Sequence, residues 1–180
     1  MKDELIALIP EFELITDEDL REKTLEAYIA AMNEGGWKPG DLMRLPFTLL
    51  IDPCPATMLE HIRGVTGLAV AIAKGLSAAY PKNPRMKVDY DLLVSGALLH
   101  DVGKLVEYEE KDGKFIASKS GKLLRHPNSG MGIAKSTGLP DEVLHAIVYH
   151  SHEGDGRRGT IESIIINHAD FLNFEPLKLP

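Results

Sequence analysis

The sequence predicts an all-α fold, on three observations. Between Pro55 and Tyr80, Met58, Ile62, Val65, Ala69, Ile72 and Leu76 recur at steps of four and three, the period of an amphipathic helix. Prolines and glycines divide the rest of the chain into segments of helical length. Strand signal is weak throughout. Roughly six helices follow, with residues from several of them converging on one site.

The elements read in order as follows. Thr16–Asp17–Glu18–Asp19 starts a helix, because acidic side chains suit its positive end. It runs to about Asn33 and stops at Gly35–Gly36. The stretch from Trp37 to Ala56 carries Pro39, Pro46, Pro53 and Pro55, so it reads as a connector with one short apolar turn at Phe47–Ile51. The long helix after Pro55 ends at Pro81–Pro84, and the next spans Asp89 to about Val102. Glu107–Lys122 is charged and holds Asp112–Gly113, the mark of a loop or small hairpin. Pro127 and Pro140 each open a helix, and Thr160 caps a last one. The tail Glu175–Pro180 is expected to fray. Residues 1–57 read as an N-terminal helical extension and connector, and 58–180 as the main domain.

Bulk properties narrow the function. The chain has 180 residues, 44% hydrophobic and 26% charged, enough for one core without disulfide staples. Cys54 is the one cysteine, so no intrachain disulfide forms, which fits a reducing cytoplasm. Met1–Pro10 mixes Lys2, Asp3 and Glu4 with a short apolar run, unlike a signal peptide, and the apolar stretches read as too short to span a membrane. A net charge of −7 argues against non-specific nucleic-acid binding. It is compatible with a small phosphorylated substrate such as a nucleotide, because a bound divalent ion reverses the local charge. A homo-oligomer stays open.

Seven histidines carry the chemical signal. His100–Asp101 ends the apolar run Leu92–Leu99, and a carboxylate there is costly unless it is paired or ligated. Neighbouring helical positions diverge by about a quarter-turn, so both side chains can reach one ion. Lys104 lies one turn further, placed to neutralise a phosphate oxygen or to pair with Asp101. His61 sits at the edge of the apolar stripe of the preceding helix, and Asp170 lies on the last helix. Nitrogen and carboxylate donors suit Mn, Fe, Ni, Co or Zn, with Mg open, and the lack of thiolates argues against a closed structural zinc site. His126, ahead of Pro127, is expected on a loop. His150 ends the stripe of Val143 and Ile147. His145 points away from His150, and His168 shares the stripe of Ile161, Ile164 and Ile165 and reads as core. Glu107–Lys111 reads as a solvated charge run, and Arg157 and Arg158 as a polar loop.

The ordered set His61, His100–Asp101, Asp170, with Gly103–Lys104 after the pair, resembles the HD-domain metal-dependent phosphohydrolase superfamily. GALLHDVGKLVEY (Gly96–Tyr108) is similar to its central motif, LEHIRGV (Leu59–Val65) to its first-histidine helix, and NHADFLN (Asn167–Asn173) to its final aspartate motif. GKLLRHPNSG and VLHAIVYHSHEG resemble the segments that supply extra histidines in the branch containing bacterial 3′→5′ exoribonucleases. No stretch is long or basic enough to be that branch's nucleic-acid-binding barrel.

The resemblance, over about residues 58–173, implies a helical fold, one or two divalent ions, and attack of metal-activated water on a phosphoester. It places first-metal ligands at His61, His100, Asp101 and Asp170, and second-metal ligands at His126 and His150 with Asp101 bridging. The family branch often has two adjacent histidines where this chain reads His150–Ser151–His152, so His152 is a further candidate. Asp101 would orient the water, and Lys104 and His126 would stabilise charge on the phosphate or leaving group. Two rivals are a di-iron oxygenase on similar ligands and a non-catalytic metal- or nucleotide-binding sensor domain.

Overall fold

The computed structural model describes residues 1–179, and among these the fold is helical apart from one two-stranded hairpin. Among the described residues nine α-helices replace the six expected. They are α1 (Lys2–Leu8), α2 (Glu18–Gly35), α3 (Met58–Ala79), α4 (Tyr90–Leu99), the single turn α5 (Lys104–Glu107), α6 (Lys119–Leu124), α7 (His126–Ser136), α8 (Asp141–Tyr149) and α9 (Ile161–Phe174). The extra ones are mostly short pieces, invisible to a period count.

Capping chemistry explains most boundaries. The Asp17 carboxylate accepts the Leu20 N–H and starts α2. The α3 helix begins at Met58 rather than Pro55, because Thr57 and Glu60 form a reciprocal cap there. Thr160 accepts the Ser163 N–H at the start of α9. Strands β1 (Tyr108–Lys111) and β2 (Lys114–Ala117) pair antiparallel from Tyr108↔Ala117 to Lys111↔Lys114. Asp112 and Gly113, both at positive φ, form the turn. The apolar run Phe47–Ile51 forms no helical turn: Phe47 is buried, while Leu50 is exposed. Glu175–Lys178 forms a 3₁₀ turn where fraying was expected, and Pro180 lies outside the described residues.

The α4 helix is the axis of the molecule. Every residue from Leu93 to Leu99 is buried. One side meets a cluster of Leu5, Phe12, Tyr28, Met32 and Phe47 with α5 and α7. The other meets Val65, Ala69, Ala146, Ile165 and Ala169 from α3, α8 and α9. The α3 helix is 22 residues long, with a mean hydropathy of 1.3 over its most apolar window. By length and composition it reaches the range of a membrane span, contrary to the sequence reading. It packs on α4 and α9 and carries buried His61 on its inner face.

Gly103 links α5 to α7. A Cβ there would lie 2.0 Å from the His126 carbonyl oxygen and 2.7 Å from the Gly130 nitrogen, and neither backbone atom can rotate away. Gly103→Ala should therefore cost about 2–3 kcal/mol of stability, measured by denaturant unfolding. A variant as stable as the parent would show that this backbone contact is not tight in solution.

Candidate metal centre

Two helices end at the same place. His100 follows α4 and His150 follows α8, each as the C-cap residue. Each ring turns back on its own helix: His100 Nδ1 lies 2.6 Å from the Ala97 carbonyl and His150 Nδ1 lies 2.7 Å from the Ile147 carbonyl. A carbonyl only accepts, so each Nδ1 carries the proton and each Nε2 presents a lone pair. Both helix ends also bring partial negative charge to the spot, which favours a cation.

His61 on α3 places its Nε2 3.2 Å from that of His100, and His126 at the start of α7 places its Nε2 3.3 Å from that of His150. His126 Nδ1 is 3.1 Å from the Glu107 carboxylate and donates to it. The His126 and His150 Nε2 atoms are therefore both acceptors, and no hydrogen bond can join them. A positive ion between the rings satisfies both lone pairs, so this donor set fits a divalent metal.

Asp101 lies between the two pairs and is fully buried. Its Oδ2 is 3.2 Å from His61 Nε2 and 3.4 Å from His100 Nε2. Its Oδ1 is 3.3 Å from His126 Nε2 and 3.6 Å from His150 Nε2. Two donor groups result, His61–His100–Asp101 and Asp101–His126–His150. Asp170 adds Oδ1 to the first, 3.2 Å from His61 Nε2 and 3.9 Å from His100 Nε2.

Lys104 is buried beside them, with Nζ 2.6 Å from Asp101 Oδ2 and 2.7 Å from the Phe47 carbonyl. Burial alone would raise the Asp101 carboxyl, but the Lys104 ammonium outweighs it and holds it well below the usual carboxylate range. Burial would lower Lys104, but the Asp101 carboxylate outweighs it and raises the ammonium. Burial lowers His126 and favours its neutral, ligating form.

A cavity of about 270 Å³ opens from this cluster. Phe47, Phe171 and Phe174 form an apolar wall, and Arg125, His152 and Lys178 sit around it. A family model described as HD domain matches residues 58–173, more than half of the chain. The chain belongs to the HD domain family. It is 28% identical over 176 residues to a dihydroneopterin 2′,3′-cyclic phosphate phosphodiesterase of Methanocaldococcus jannaschii, covering 91% of this chain and 66% of that protein. It is 28% identical over 172 residues to a 3′-5′ exoribonuclease YhaM of Geobacillus sp., covering 87% of this chain and 50% of that one. It is 35% identical over 104 residues to a ribonuclease Y of Desulforudis audaxviator, covering 58% of this chain and 17% of that one. The chain thus spans two thirds or less of these relatives' lengths. No solved structure matches.

This HD domain brings His61, His100, Asp101, His126, His150 and Asp170 together and leaves His152 apart. The His152 side chain is 81% exposed, its ring against Phe171 and its Nδ1 3.3 Å from Asp155. His126 is the first residue of α7, not a loop residue, because the break falls one position earlier, at Arg125 with φ +36°. His168 is exposed rather than core, along with Ile164. The buried stripe of α9 is Ile165, Ile166 and Ala169, one position out of phase with the expected one. His145 accepts the Gly159 N–H at 2.9 Å, and Arg158 donates to the Tyr149 and Ser151 carbonyls, so both hold the α8–α9 loop.

Glu107 is the clearest correction. Rather than a solvated charge, it is a side chain 16% exposed that bonds both the ring and the backbone N–H of His126. Phe47 was read as part of a connector turn. It stacks on His61 with ring centroids 4.3 Å apart and gives Lys104 its second hydrogen bond. Asn167 also escaped notice and donates to the His150 carbonyl at 2.6 Å.

Proposed function

We propose that this HD domain hydrolyses a phosphodiester in a small, nucleotide-like substrate, using two divalent ions held by His61, His100, Asp101 and Asp170 and by Asp101, His126 and His150. One observation carries the reading: the two oxygens of Asp101 face different histidine pairs at the floor of a cavity. Bound divalent ions would supply Lewis acidity, a lowered pKa for water and charge screening. Lys104 would contribute a fixed positive charge beside the phosphorus-bound oxygens. The phenylalanine wall would exclude water on one side and hold a planar ring by stacking.

The cavity has room for about one nucleotide unit. The acidic net charge of −7 points the same way. A named cyclic phosphodiesterase also aligns with nearly the whole chain. The test is a screen of the purified protein with Mn²⁺, Fe²⁺, Co²⁺, Ni²⁺, Zn²⁺ or Mg²⁺. Substrates would be 2′,3′-cyclic nucleotides, a nitrophenyl diester, a nitrophenyl monoester and an RNA oligomer. The expected result is metal-dependent, chelator-sensitive turnover, fastest on a small diester. No hydrolysis with any ion would sink the reading, and iron-dependent oxygen consumption would replace it with the oxygenase.

A further inference from the structure

The four clustered histidines are held in different ways. His100 and His150 are fixed by carbonyls of their own helices. His61 is fixed by the Phe47 ring stacked on it. At His126 the ring N–H is instead held by a carboxylate, since Glu107 accepts both its Nδ1–H and its backbone N–H. It also follows Arg125, whose φ of +36° lies in a region that non-glycine residues rarely adopt.

Much of the local structure serves to hold Glu107. It ends α5, and the β1–β2 hairpin folds the chain back so that the Ser118 N–H donates to its carbonyl at 2.8 Å. The Ser118 hydroxyl donates to the neighbouring Val106 carbonyl at 2.9 Å. Gly121 then lies against it: a Cβ there would sit 2.4 Å from the Glu107 carbonyl oxygen and 2.6 Å from its Cγ. The hairpin and α6 thus form a brace whose output is the position of one carboxylate.

The geometry points to Glu107 as the positioning residue that fixes the tautomer and aim of His126, and through it the affinity of the Asp101–His126–His150 group for its ion. This rests on reading the cluster as a two-metal centre. Glu107 touches neither the cavity floor's donor atoms on Asp101 and His150 nor the first group. Its loss should weaken one ion and spare the other. Removing an acceptor behind a ligating histidine typically costs about 10–100-fold in metal affinity.

The test titrates the metal-free protein with Mn²⁺ alone and counts bound ions, without any substrate. Nitrogen-15 spectra of the histidines report the His126 tautomer before metal is added. Wild type should bind two ions, with His126 protonated on Nδ1. Glu107→Ala should keep the tighter ion, bind the weaker one about 10–100-fold less well and lose the fixed tautomer. Glu107→Asp is too short to reach both N–H groups, should fold like the parent and should show the same selective loss. Glu107→Gln retains an acceptor oxygen and should restore the tautomer and most of the affinity. Ser118→Ala removes the hydroxyl bond of the brace while leaving Glu107 in place, and should weaken the same ion in the same direction but less than Glu107→Ala does. The inference falls if wild type binds one ion, if Glu107→Asp binds both as wild type does, or if Glu107→Gln fails to rescue. Wild type that binds two ions but cleaves no phosphoester would defeat the functional proposal and leave this one standing.

Discussion

Asp101→Asn should empty both metal positions and lower turnover by at least about 10³-fold. The amide keeps the side-chain shape but replaces one carboxylate oxygen by an NH₂ group. Whichever way it turns, one histidine pair then faces an NH₂ group that cannot ligate, and the other a neutral oxygen that binds a cation far more weakly than a carboxylate does. The change also leaves the buried Lys104 ammonium without its carboxylate partner. Losing one member of a buried pair costs about 3–5 kcal/mol, so the variant should also unfold at a lower denaturant concentration. Metal analysis, steady-state kinetics and unfolding curves check the three effects. His145→Ala and His168→Ala are the controls and should keep full metal content, since neither ring reaches the cluster. An Asp101→Asn protein with a full metal complement would refute the bridging arrangement.

Lys104→Met should lower kcat/KM by about 10²–10³-fold while metal content stays unchanged. Methionine fills a similar volume but brings no charge to the phosphate and no competitor for Asp101 Oδ2. In the metal-free protein the same change leaves Asp101 buried and unpaired, a loss of about 3–5 kcal/mol. Bound ions would neutralise that carboxylate, so the rise in Tm on metal addition should be larger in the variant than in the parent. Kinetics at saturating metal, metal analysis and paired melting curves measure this. Unchanged kinetics would leave Lys104 as a structural counter-charge to Asp101 and nothing more.

The sequence made some parts of this site legible and hid others for physical reasons. His100–Asp101 stands at the end of a seven-residue buried run, where polar groups need partners, so the pair drew attention without any fold. His61, His126, His150 and Asp170 were picked out by their order along the chain, and the fold brings them within reach of that pair. Glu107 lay in a run of charges, and a charge that braces a histidine reads like one that faces water. Its meaning depends on the hairpin carrying the chain back to His126, 19 residues later. Phe47 is 57 residues from the lysine it bonds, and no periodicity reports such a contact. The His168 error was one of phase: three isoleucines in a row, Ile164–Ile166, fit two helical faces equally well.

The placement of Phe47 also separates the span of the family model from the unit of folding. The HD family model starts at residue 58, yet Phe47 forms one wall of the cavity and backs His61. Earlier still, the Tyr28 hydroxyl donates to the Leu98 carbonyl and the Trp37 indole to the Leu105 carbonyl, so α2 and the connector hold both sides of the His100–Asp101 turn. A chain cut at residue 57 would bare Leu98, Leu99, Val102 and Leu105 to water and deprive Lys104 of one of its two anchors. The segment that the family model matches would then survive in sequence without an ordered donor cluster.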